Sequence, residues 1–188
     1  MLNRATLEIV GHLLPAGFRT DHEAVLVIEQ DGNDPDQVLE QLAVMVEILD
    51  GIDNRVAQSE AEREGIWKAR RHLGHAMVEL RQNVFIEDIA VPISKVPEMV
   101  HRFQALAEKH NMRMPVVAHA GDGNLHPLLL FEEHQRHLVG PIAAQIFRDA
   151  VELGGTVSAE HGLGALKRDF AALEHSPEEI GWWLRLKE

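Results

Sequence analysis

The sequence predicts an α+β fold, a mainly antiparallel sheet with helices on one face. Three observations predict it. Apolar runs of strand length alternate with segments of helical periodicity. At least one pair of runs is joined by a tight turn. No glycine-rich loop follows a strand and opens a helix, because Gly162-Leu163-Gly164 lacks a third glycine and follows Glu160-His161, so dinucleotide binding by this chain alone is poorly supported. This order of elements resembles a ferredoxin-like sandwich. With 188 residues, one domain spanning 1–188 can bury a substantial core.

Taken in order, residues 1–23 are mixed, and Leu13-Leu14-Pro15-Ala16-Gly17 reads as a loop or a frayed helix end. Ala24 to Glu29 is a nearly continuous apolar strand, which implies burial on both faces. Asp31-Gly32-Asn33 turns the chain. A helix follows with Asp34 as N-cap and Pro35 at its first position. Val38, Leu42, Met45 and Leu49, with Leu39 and Val46, form its apolar stripe. Gly51 closes it, and a short strand is expected at Arg55-Val56-Ala57. Glu60 to about Leu80 is helical, and Asn83 to Val91 is a buried strand stopped by Pro92. Ser94 then caps a helix carrying Val96, Met99, Val100, Phe103 and Leu106.

Pro115-Val116-Val117-Ala118 and Leu128-Leu129-Leu130-Phe131 flank the central stretch His119 to His126, and a helix from about Pro141 to Leu153 leads to Gly154-Gly155. Ser176-Pro177-Glu178-Glu179 is a capping box with proline at the first helical position. On the final helix, Trp182 and Trp183 are expected to pack against another element.

Composition excludes several functions. The balance of 18 basic against 30 acidic residues gives a net charge of −12 and no basic patch, which argues against nucleic acid. The absence of cysteine excludes disulfides, thiolate metal sites and iron–sulfur ligation within these residues. No apolar run approaches about 18 residues and no leader pattern opens the sequence, so a cytoplasmic protein is the expectation.

The chemistry concentrates in His119-Ala120-Gly121-Asp122-Gly123-Asn124-Leu125-His126. Gly and Asn tolerate the positive φ of a tight loop, so strand, loop and strand place one imidazole at each mouth. A second stretch, Ser158-Ala159-Glu160-His161-Gly162-Leu163-Gly164, offers a carboxylate and a third imidazole. Two histidines and a glutamate suit a catalytic divalent metal with one position left open. Such an ion polarises a carbonyl or lowers the pKa of a hydroxyl. His161, beside that cation, would stay neutral and could act as a base. Arg70 could grip a substrate carboxylate, although Lys68-Ala69-Arg70-Arg71 also suits a solvated helix face. Lys167 could add a second positive group, with a structural or solvated role as the plainer reading. Metal, base and guanidinium together suit a small 2-hydroxy acid.

At Ile66-Trp67-Lys68-Ala69-Arg70, Glu87-Asp88-Ile89-Ala90-Val91-Pro92, His119 to His126, and Gly154-Gly155 through Gly164 with Lys167, the sequence resembles the C-terminal, substrate-side (cap) domain of the FAD-linked oxidases. That family, within the vanillyl-alcohol oxidase superfamily, includes D-lactate dehydrogenase, the glycolate oxidase catalytic subunit and D-2-hydroxyglutarate dehydrogenase. The resemblance covers nearly the whole chain. It implies that His119, His126 and Glu160 ligate a divalent metal, commonly zinc. It also implies that His161 is the general base, that Arg70 binds the substrate carboxylate and that Asn124 shapes the site near the flavin. The implied reaction takes a D-2-hydroxy acid of lactate or glycolate type to the 2-oxo acid, with hydride transfer to FAD.

Departures from the family pattern matter too. Nothing corresponds to the preceding FAD-binding domain, which would have to come in cis or as a separate subunit, and the closing Asp-Pro…Asn-Pro-Gly-Lys type of segment is absent. The sequence therefore reads as a cap domain truncated at its C-terminal end. Where the hydroxyglutarate branch has a lysine before Glu87-Asp88, this chain has Phe85-Ile86. Leu128 replaces a polar residue two places after His126. Substrate identity is thus not carried over. Two rival expectations stand: a non-catalytic cap or interface module, whose exposed docking face could make it a homodimer, and a metal-dependent hydrolase.

Overall fold

A computed structural model describes residues 1–14, 18–72, 75–76 and 83–187. Its class is α+β, and every strand pairing is antiparallel. The sheet is built around β6 (Asn124–Phe131), whose residues are all buried. On one side β6 pairs with β5 (Val116–His119), with Val117 opposite His126 and His119 opposite Asn124. On its other side run β3 (Asn83–Ile86) and β4 (Ile89–Ala90). Ile86 faces Leu128 and Ile89 faces Leu125, so the register is continuous across the gap and sets Asp88 opposite His126. Beyond β5 lie β1 (Leu2–Asn3) and then β2 (Ala24–Val25).

Alternation along the strands sorts the side chains between two faces. Leu125, Leu129 and Phe131, with Val116, Ala118 and Ile89, form the larger core against α4 (Val96–His110) and α5 (Arg136–Glu152), which contribute Met99, Phe103, Ile142 and Phe147. This is the helix layer that the sequence predicts. Val117, Leu128 and Leu130 point the other way and meet Leu7 and Val10 of α1 (Arg4–Val10) in a smaller cluster. His119, Asn124 and His126 share this second face by the same alternation. The expected strand–loop–strand thus delivers both histidines to one side of the sheet.

Several expectations need correction. Residues 1–23 are not merely mixed: Asn3 caps α1 by accepting from the Thr6 amide, and Oγ1 of buried Thr6 donates to the Val116 carbonyl at 3.0 Å. The strand at 24–29 pairs only over Ala24–Val25, and Leu26 and Ile28 are 55% and 53% exposed, because no strand partners them among the described residues. Asp34 caps α2 (Pro35–Ile48) as expected, yet the helix has no buried residue: Val38, Leu42, Met45 and Leu49 of its stripe are only half-buried, and Leu39 and Val46 are exposed.

No strand forms at 55–57, where Arg55 instead pairs with Glu62 of α3 (Glu60–Arg71). The end of the predicted helix at 77–80 and residues 15–17 of the first loop lie outside the described residues. Ser94 sits inside a 3₁₀ turn (Ile93–Lys95) and makes no cap. The helix expected from Pro141 begins at Arg136, after a 3₁₀ turn opened by reciprocal Glu132–Gln135 bonds, so Pro141 lies within α5.

The last helix, α7 (Pro177–Lys187), has its predicted capping box: Glu179 Oε2 accepts from the Ser176 amide at 2.7 Å, and Ser176 Oγ accepts from the Glu179 amide. Its tryptophans do not pack into a core. Trp182 is 63% exposed under the Arg185 guanidinium, and Trp183 stacks edgewise on His175. No described helix is long and apolar enough to cross a membrane.

Candidate active site

The loop from Ala120 to Gly123 folds tightly because its own groups close it. The amides of Asp122 and Gly123 both donate to the His119 carbonyl, and the Asn124 amide donates to Asp122 Oδ1 at 3.0 Å. Gly123 is required twice over. Its φ is +82°, and a Cβ there would lie 2.0 Å from the Val91 carbonyl oxygen.

The second stretch arrives from the end of α5. Thr156 bridges to Ala90, a contact that the missing Cβ of Gly155 permits. Residues 158–161 then turn under the second face of the sheet. There Asp88, wholly buried, accepts from the amides of Ala159, Glu160 and His161 at 2.9, 2.8 and 2.6 Å, and from Ser158 Oγ at 3.2 Å. Lys167, on the one-turn helix α6 (Gly164–Lys167), donates to Asp88 Oδ1 at 3.0 Å and pairs with Glu87 at 3.3 Å. Burial opposes the charge on Asp88, but the His161, Glu160 and Ala159 amides and the Lys167 ammonium overcome it and hold the carboxyl well below the usual range. Burial pushes the neighbouring Glu87 up.

The structure brings all six predicted site residues together. One donor atom from each of His119, His126 and Glu160 lies within 4.8 Å of the other two. Glu160 Oε1 is 3.2 Å from His126 Nε2 and 3.6 Å from His161 Nε2. The His161 ring stacks on His126 with centroids 5.3 Å apart, and His119 meets His126 edge-on at 5.8 Å. Arg70 reaches in from α3, its guanidinium 3.4 Å from His119 Nε2. Asn124 stands directly across from His119.

Two observations bear on whether these residues fit a metal. Burial pushes the His126 imidazole below its ordinary value, which leaves a neutral ring with a free lone pair, the form that binds metal. Donors about 2.1 Å from one tetrahedral ion would stand ~3.4 Å apart, close to the His126–Glu160 spacing and within small rotations of the exposed His119 and Glu160 side chains. The donor set therefore fits a divalent ion. For a flavin, the fit is limited to one edge. That edge is near Asn124, whose Oδ1 lacks a hydrogen-bond partner but is closed off from the surface.

Beside His119 opens a cleft of about 570 Å³, walled by Leu26, Ile28 and Trp67 and bounded by Arg70, Glu29 and the His119 loop with Asp122. Asp88, part of the Glu87-Asp88 motif, carries no role that its sequence position alone assigns. A usable signal was present: an acidic pair amid the apolar residues Val84 to Val91. Lys167 is buried and paired, in line with the structural reading.

The profile of the family described as FAD linked oxidases, C-terminal domain, matches residues 1–188. The chain belongs to that family. It is 33% identical over 193 residues to the glycolate oxidase subunit GlcD of Bacillus subtilis, covering 99% of the chain and 41% of that protein. Similarity extends to D-2-hydroxyglutarate dehydrogenase of Stutzerimonas stutzeri, at 29% identity over 93% of the chain and 39% of the relative. The mitochondrial D-lactate dehydrogenase [cytochrome] of Kluyveromyces lactis is 25% identical over 83% of the chain and 29% of its own length. The chain thus spans about two fifths of the glycolate oxidase subunit it matches.

Proposed function

We propose that residues 1–188 form the substrate-side domain of a flavin-dependent 2-hydroxy-acid dehydrogenase or oxidase. Its substrate would be a small D-2-hydroxy acid and its product the 2-oxo acid. The observation that carries this reading is the convergence of His119, His126, Glu160, His161 and Arg70 at one mouth of the sheet. Family membership and relatives named for glycolate, lactate and 2-hydroxyglutarate support it.

In this reading His119, His126 and Glu160 hold a divalent ion, zinc being the expected one. The ion would lower the pKa of the substrate hydroxyl, and FAD, held mainly by a domain in cis or a separate subunit, would accept the C2 hydride. Arg70 grips the carboxylate and orients C2. His161 takes the proton from the hydroxyl oxygen while the hydride leaves C2, and the C–O bond becomes the carbonyl. Asn124, across from His119, shapes the floor of the site near the flavin. The apolar cleft walls favour a short apolar substituent over a second carboxylate.

The test is oxidation of D-lactate, glycolate and D-2-hydroxyglutarate by the chain joined to a flavin-binding domain, followed with a dye acceptor. Turnover of the first two, abolished by His161→Ala, is the expected result. Arg70→Lys should raise KM more than it lowers kcat, because it loses the bidentate grip. Flavin-independent hydrolysis of esters or phosphates would contradict this reading and favour a hydrolase.

A further inference from the structure

We propose that Asp88 is the positioning residue of this centre, holding the turn that presents Glu160 and His161 to His126; the metal half of this role rests on the reading above. Three successive amides and a hydroxyl converge on the Asp88 carboxylate. Such a concave run of N–H groups is a nest, an arrangement that commonly receives an anion. Here its occupant is a side chain from the sheet, and at 0% exposure no water competes for it. Asp88 is itself held at two points, since Lys167 Nζ donates to its main-chain carbonyl at 2.5 Å and to Oδ1 at 3.0 Å.

The register completes the argument. Asp88 lies opposite His126, so one strand pair fixes both the histidine and, through the carboxylate, the backbone of the turn. The side chains of Glu160 and His161 are about half exposed, at 50% and 55%. Beyond the histidine and glutamate groups of the site, the further contact among the described residues is His161 Nδ1 with Asp88 Oδ2 itself at 3.8 Å, so their placement follows from their backbone and from Asp88. Asp88 touches no substrate in this scheme. It acts through the two residues it suspends.

Asp88→Asn tests the proposal, because it keeps the shape but turns an NH₂ donor toward amides that are themselves donors. The probe is cobalt(II) titrated into the 188-residue chain, followed by its visible absorption, alongside amide hydrogen exchange. The expected result is a 10- to 100-fold loss of cobalt affinity, the range typical when a partner behind a metal ligand is removed. It should come with a changed absorption band and lost protection at the amides of Ala159, Glu160 and His161. Leu106→Ala, a core truncation in α4, should lower the melting temperature while leaving affinity and band unchanged, which separates positioning from stability.

A folded Asp88→Asn chain that binds cobalt as the wild type does would overturn the proposal. If that variant fails to fold, Ser158→Ala decides the matter. It removes only the hydroxyl that donates to the two Asp88 oxygens at 3.2 and 3.4 Å and should weaken cobalt binding several-fold, and unchanged binding would overturn the proposal equally. A wild-type chain that takes up no cobalt contradicts the metal reading, and with it any service of Asp88 to a metal. Protection at the three amides would then still report the anchor.

Discussion

The two walls of the candidate site are built to different standards. His119, His126, Asn124 and the 158–161 turn stand on β5, β6 and β4, above a core containing Phe103, Ile146 and Phe147 at 1% exposure or less. Arg70 and much of the cleft wall come from residues 24–71, where α2 has no fully buried residue and Leu39, Ile48 and Ile28 lie more than half exposed. Groups that must converge on one ion need a rigid frame. Groups that choose among substrates can stand on a more lightly packed segment.

The comparison breaks if both regions respond alike to truncation. Phe103→Ala should cost about 3–5 kcal/mol, and Leu39→Ala, on the exposed face of α2, less than ~1 kcal/mol, both read from denaturant unfolding of the chain. In the loop between the histidines, Gly123→Ala should cost more than about 1 kcal/mol, since the native φ is positive and Val91 blocks the added methyl. The same change should weaken metal uptake. A neutral outcome would mean that the loop is not fixed by its contact with Val91.

Acidification sharpens the comparison, because the shifted buried groups lie in the packed region. His126 has a depressed pKa, so below about pH 6.5 the unfolded chain binds a proton that the folded chain still refuses. Stability contributed there is present above that pH and is lost as pH falls through the lower, folded value. Asp88 has a depressed pKa as well, and its contribution is present above about pH 4 and lost below it as the carboxylate protonates. The melting temperature should therefore drop on descending from pH 7 toward 5 and drop further below 4. His126→Gln should flatten the first step. A smaller effect is expected in amide exchange, where α2 should show far less protection than α5.

The same division explains what was legible in the sequence. β5, the loop and β6 could be read because alternation, turn chemistry and burial all agree there. The pairing of His119 with His126 followed because strand alternation across the hairpin puts both on one face. Asp88 was harder to assign, since its partners are backbone amides 71 to 73 residues away and amides have no sequence signature. In residues 24–57 the apolar patterns were plain but their burial was not. Periodicity states which residues share a face, and it does not supply the surface that face meets.

The most direct measurement is elemental analysis of the purified chain after incubation with zinc and dialysis near pH 7.5, beside a His119→Ala/His126→Ala variant of unchanged circular dichroism. The account predicts about one divalent ion per chain, and none in the variant. An ion retained at equal stoichiometry in the variant, or no uptake of zinc or manganese by the wild-type chain, would contradict it.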